Sequence, residues 1–144
     1  MQKRYYSGKK KRHTLKSQVV VCKKSAKVLC THFSHGKRHD FALYKQSRFK
    51  VHPDTQLLAD SGYPGLQKEH ANSRTPTKRR KKKPLSKEAK LQNRQLSSDR
   101  VLNENVIGKI KRFKIVCDRY RNRRKRFGLR FNLIAGIYNY ELKN

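Results

Sequence analysis

Residues 98–114 read SDRVLNENVIGKIKRFK. Arg100 is followed four residues later by Glu104, and Lys111 stands seven residues beyond that. In a helix turning about 100° per residue, Glu104 lies about 40° and Lys111 about 20° round from Arg100, so all three share one narrow face. A second stripe, Leu102, Val106, Ile110, Phe113 and Cys117, recurs at four, four, three and four. It predicts the apolar seam of an amphipathic helix turned to a core. Spacing alone leaves two readings of Glu104. It is a solvent-facing helix residue partnered by a cation one turn back, or a carboxylate held between cations for chemistry.

Upstream, residues 14–22, TLKSQVVVC, end in a β-branched run and predict a buried strand. Residues 23–27 are a polar turn, and 27–33, KVLCTHF, predict the returning strand of a hairpin. Tyr5 and Tyr6, set among cations, suit either an edge strand or stacking on bases. Asp40 stands before FALYKQSRF, where an acid is a good helix N-cap. Cys30, His32, His35 and His39 crowd one stretch, but their spacing matches no common zinc pattern.

Residues 55–60, TQLLAD, predict a short strand ending on Asp60, and SGYPGL follows at once. An acid at the carboxyl end of a buried strand, before a Gly-rich turn, is where α/β proteins place ligands. The same Asp also suits the start of a turn. Residues 72–84, NSRTPTKRRKKKP, break the composition. Lys78, Arg79, Arg80, Lys81, Lys82 and Lys83 repel one another and predict an exposed loop that holds phosphates, with a short edge strand near 74–77. From Ser86 the pattern is helical again. Beyond Cys117, Arg119, Arg121, Arg123, Arg124 and Arg126 are expected to form a basic ridge. Phe127, Phe131, Ile134 and Tyr138, at four, three and four, then predict a helix with one apolar face, which Leu133 and Ile137 are expected to widen.

The 144 residues suffice for one domain and one core. Lys and Arg number 39 against nine acids, a formal charge of +30. Such a field attracts polyanions, and DNA or RNA is the natural partner. No apolar run spans a bilayer, and the basic N-terminus lacks the apolar segment of a secretory signal. Three cysteines, an odd number, fit a reducing cytosol.

Five blocks carry a family resemblance: YYSGKKKRHTLKSQVVV, GKRHDFALYKQS, LLADSGYPGL, NSRTPTKRRKKKPLSKE, and the C-terminal run from SSDRVLNENVIGKIKRFK to IYNYEL. The chain resembles the C-terminal catalytic part of a bacterial insertion-sequence transposase of the DDE superfamily. Related families often carry a Tyr three residues before the Arg of the last block, where this chain has Ser97. The resemblance implies an α/β, ribonuclease-H-like mixed sheet with flanking helices. It implies strands and a first helix over 1–70, a basic loop over 71–85, and a helical part bearing the Glu over 86–144. Asp60 matches the second acid of the family triad and Glu104 the third, with Arg100 and Lys111 contacting phosphate or orienting Glu104, and Ser61 and Tyr63 lining the same pocket.

The family cuts and joins DNA by phosphoryl transfer on two metals about 3.5–4 Å apart, so the resemblance implies Mg²⁺ or Mn²⁺ on Asp60 and Glu104. It also implies transposon ends and target DNA as partners, and a cytoplasmic, nucleoid-associated protein. The first acid of the triad belongs on a central strand upstream of YYSGKKKRHTLK, and no Asp or Glu precedes Asp40. The chain is therefore expected to lack the first catalytic Asp and its strand. It is expected to be inactive alone, as a remnant or as the downstream half of a split transposase. The other reading is a basic nucleic-acid-binding protein, such as a ribosome-associated one, with no catalytic role.

Overall fold

A computed structural model describes residues 5–8, 11–79, 84–118, 120 and 123–142. The chain separates into two compact units, Met1–Arg38 with Leu102–Asn144, and His39–Val101. Strands and helices mix in a small α/β architecture.

In the first unit, β1 (Tyr6–Ser7) pairs antiparallel with β2 (Arg12–His13). The predicted hairpin is present as β3 (Leu15–Val21) and β4 (Val28–His35), with Val19 opposite Thr31 and an irregularity after Val20. Alternation puts Leu15, Val19, Val21 and Phe33 on one face of it. That face packs on α5 (Phe127–Glu141), which follows a 3₁₀ turn at Arg124–Arg126. Phe127, Phe131, Ile134 and Tyr138 are buried there, at the predicted spacing. Phe33 meets Phe127 and Phe131 edge-on at centroid distances of 5.5 and 5.3 Å. Hydrogen bonds fix the register. The Asn139 amide accepts from Val28 N–H and donates to Val28 C=O, both at 2.8 Å, and Tyr138 O–H donates to Ala26 C=O at 3.1 Å.

Two expectations about apolar faces fail. The long helix, α3 (Lys87–Ile110), buries Val106 and Ile110 but ends before Phe113 and Cys117, which are exposed. Arg112 N–H and Phe113 N–H bond to carbonyls three residues back, which tightens the backbone and breaks the seam's period. A short helix, α4 (Lys114–Cys117), follows. On α5, Leu133 and Ile137 do not widen the packed face. With Leu129 and Tyr140 they form an outer stripe at intervals of four, four and three, exposed by 71% (Leu129), 66% (Leu133), 39% (Ile137) and 69% (Tyr140).

The second unit holds α1 (Asp40–Ser47), β5 (Leu57–Leu58), α2 (Leu66–Glu69), β6 (Ser73–Arg74) and most of α3. The strand expected over 55–60 is regular only at β5, which pairs parallel with β6; the edge strand expected near 74–77 meets β6 only at Arg74, and 75–77 are not in a strand. Leu57 N–H to Asn72 C=O and Ala59 N–H to Arg74 C=O extend this ladder toward Asp60. Leu43, Leu66 and Leu96 are buried. Ser86 Oγ accepts from Ala89 N–H and caps α3, satisfying an orphan donor of its first turn. Asp40 is not the N-cap of α1. His39 holds that position with extended backbone, and Asp40 is the first helical residue, where an acid still suits the helix dipole.

Candidate functional site

The ladder of β5 on β6 delivers the chain to Asp60, where it turns. Tyr63 N–H donates to Asp60 C=O at 3.1 Å, and Ser61 N–H donates to Asp60 Oδ1 at 2.5 Å. The Asp side chain thus caps its own turn, as short polar side chains do. The carboxylate remains 63% exposed. Arg100, from α3, reaches it with Nη1 at 3.3 Å from Oδ1, while its own side chain is only 22% exposed. A stem covered in this way keeps the guanidinium in one place, which a fully solvated Arg does not achieve.

The face of α1 that carries Asp40, Phe41 and Tyr44 lies on the same turn. A Cβ on Gly62 would stand 2.7 Å from Asp40 Oδ2, so the carboxylate occupies the space a side chain would take. Tyr63 sits edge-on to Tyr44, with centroids 6.4 Å apart. Burial pushes the Tyr63 phenol up to about 12, and the negative charges of Asp40 and Asp60 add to the effect. The phenol is a neutral hydrogen-bonding group at any physiological pH.

Four residues beyond Arg100 on α3, Glu104 is exposed. It lines an open groove of about 440 Å³ in the first unit, together with Lys109, Arg112, Ala26 and Tyr138. Lys109 Nζ lies 5.9 Å from the centre of the Tyr138 ring. Lys111 follows the last helical residue, yet its N–H still bonds to Ile107 C=O, so the rotation of the helix carries through it.

The residues read as phosphate-holding fall in two places. Lys78 and Arg79 are exposed, just past Thr77, which is pinned to α3 by two hydrogen bonds with the Asn93 side chain at 2.9 and 3.0 Å. Arg80, Lys81, Lys82 and Lys83 lie outside the described residues, as do Arg119 and Arg121. Arg123 and Arg126 are exposed, and Arg124 lies over the Tyr5 ring at 4.4 Å. Arg124 thus spends part of its surface on a cation–π contact.

Among the described residues, no group of three or more His, Cys, Asp or Glu side chains stands together to hold a metal. Hard divalent cations need several oxygen ligands, and the described carboxylates alone make an incomplete set. Also among the described residues, no helix is long and apolar enough to cross a membrane. Sequence reasoning missed the approach of Asp40 to Gly62, because 22 residues separate two groups that meet only in the fold.

Residues 1–139 match the family described as DDE superfamily endonuclease. The chain is also similar to a probable transposase for insertion sequence element IS702 from Microchaete diplosiphon. The two are 48% identical over 141 residues, which make up 98% of this chain and 51% of that protein. The chain therefore spans about half the length of that curated relative. No solved structure matches.

Proposed function

Because the chain belongs to the DDE superfamily endonuclease family, we propose that it serves DNA transposition, as the part of a transposase that carries two of three catalytic acids. These are Asp60 and Glu104. The observation that carries this reading is the Asp60–Arg100 ion pair. It ties a strand-end acid to the helix that bears Glu104 one turn further on. A decorative surface pair would not need a half-buried Arg side chain, and exposed ion pairs by themselves contribute only about 0–1 kcal/mol.

In this reading the fold is ribonuclease-H-like, a mixed sheet with flanking helices. The first acid has no counterpart among residues 1–39, which hold no Asp or Glu. A further polypeptide segment, the upstream half of a split transposase, supplies it together with its strand. Asp60 and Glu104 would then be the residues of this chain that hold Mg²⁺ or Mn²⁺, which would supply Lewis-acid stabilisation of the transferred phosphoryl group. Arg100 keeps Asp60 in place, and Lys111, on the Glu104 face, takes a DNA phosphate. The cations of the 71–85 loop and those around Arg123 hold transposon ends and target DNA on the nucleoid, in the cytoplasm.

The isolated chain is expected to show no nicking of DNA with Mg²⁺ or Mn²⁺. Adding the upstream half, in trans or fused in frame, is expected to restore it. Glu104→Gln in the restored protein should lower nicking by more than the about 10–100-fold typical of losing a ligand's outer-shell partner, with DNA binding intact. Nicking by the unmodified chain that Glu104→Gln stops would show that no further acid is needed. Nicking that survives Glu104→Gln in the restored protein would remove Glu104 from the site, and no nicking after the upstream half is added would favour a basic nucleic-acid binder without catalysis.

A further inference from the structure

We propose that position 108 is glycine so that the sugar–phosphate backbone of the DNA strand being cut can lie against α3 beside Glu104. The proposal rests on the reading of Glu104 as a catalytic acid, and it names the surface that brings the strand to it.

Gly108 stands inside α3, near its C-terminal end, and is exposed. In a helix interior glycine is less favourable than any residue except proline, so its presence there calls for a reason. Two ordinary reasons do not apply. Its backbone is helical, and Gly65 is the only described glycine with a left-handed φ. Crowding does not require it either. Among the described residues, a Cβ at position 108 would meet no atom within 4 Å. Gly128, on α5, shows the contrast, since a Cβ there would stand 2.9 Å from the Phe33 ring. The reason that remains is the close approach of a ligand to bare backbone.

What lies over Gly108 is the open groove of about 440 Å³, lined by residues of the first unit. Glu104, Gly108 and Arg112 follow one another at intervals of four, and all three line it. Four residues advance a helix by about 6 Å and turn it about 40° past a full turn, so the three form one row. Arg112 extends the row in the tightened turn that ends the helix, where its N–H bonds to Lys109 C=O at 3.2 Å. The row reads carboxylate, bare backbone, cation. Buried Val106 and Tyr138 give the groove an apolar floor, and Lys109 stands over the Tyr138 ring. A floor of this kind takes the apolar face of a deoxyribose, and the two cations take its phosphate. Peptide N–H groups inside a helix are already bonded within it, so Gly108 contributes clearance and no hydrogen bond. A side chain at position 108 would stand where the strand passes between Arg112 and Glu104.

The test looks for a substitution that strengthens the fold and weakens the function. In the 144-residue chain, Gly108→Ala is expected to raise the thermal midpoint by about 3 °C. Gly136→Ala, at another exposed helical glycine with open space around it, is the control and should raise it similarly. In the protein restored with its upstream half, Gly108→Leu should lower kcat/KM for nicking about 100-fold, and Gly108→Ala by less, because the strand is displaced by about the size of the added side chain. Gly136→Ala should leave nicking unchanged. Duplex binding by the 144-residue chain separates this proposal from the reading of Glu104. Arg112→Ser should flatten the salt slope by about 0.9, the loss of one phosphate. Gly108→Leu should do the same, and the two together should lose no more than either alone, since both disturb one phosphate. If Glu104→Gln nicks normally, the catalytic reading fails, while the slopes still report whether DNA lies in the groove. An unchanged slope in Gly108→Leu, slopes that add in the double variant, full nicking by Gly108→Leu, or an equal loss of nicking in Gly136→Ala would each overturn the role of Gly108.

Discussion

Raising the salt from about 50 to about 200 mM is expected to weaken binding of duplex DNA by about 10³–10⁵-fold, if six to ten phosphates are neutralised. Binding is expected to show little sequence preference. The formal charge of +30 on 144 residues motivates the number. Each Lys or Arg seated on a phosphate releases condensed counterions, and log K falls by about 0.9 per contact for each decade of salt. Lys78 and Arg79 are exposed where the chain leaves its anchor at Thr77, so the loop they open is placed to supply part of that slope. Replacing Lys78, Arg79, Arg80, Lys81, Lys82 and Lys83 by Ser should flatten the slope by about 0.9 for each residue that sits on a phosphate. A slope that does not move assigns DNA binding to other cations.

Phe131→Ala should cost about 3–5 kcal/mol, much of the roughly 5–15 kcal/mol that holds a small domain folded. Phe131 is buried, and its ring touches both Phe33 of the hairpin and Phe127 one turn earlier, so its loss opens a void at the joint of sheet and helix. Leu133→Ala, only two residues away, should change stability by less than about 0.5 kcal/mol, because that side chain is 66% exposed. Denaturant midpoints of the two variants check both claims. Comparable losses would mean that both faces of α5 are packed in solution.

The contrast between these two residues also marks what the sequence made legible. The hairpin was readable because a β-branched run, a polar turn and a second apolar run leave few other options. The buried quartet of α5 was readable from its spacing. Its outer stripe was not, because a helix apolar on all sides has no period that says which side faces in, and Leu133 lies about 160° from Phe131. The end of α3 was missed for lack of punctuation. Residues 111–114 contain neither Gly nor Pro, and only the cations Lys109, Lys111 and Arg112 hinted at a helix C-terminus. Asp60 was visible from its place at a strand end. Its partner Arg100 lies 40 residues away, on α3, and no local pattern links positions that far apart.

The outer stripe of α5 makes the chain a colloid with two opposed forces. At low salt, copies carrying +30 repel one another at long range, and the apolar strip of Leu129, Leu133, Ile137 and Tyr140 never meets its like. Salt shortens the range of that repulsion from about 10 Å at 0.1 M to about 3 Å at 1 M, while leaving hydrophobic attraction in force. The second virial coefficient from light scattering should therefore fall from positive to negative across this range, and Leu133→Glu should keep it positive. The brine that washes nucleic acid off the protein is also the medium in which it curdles.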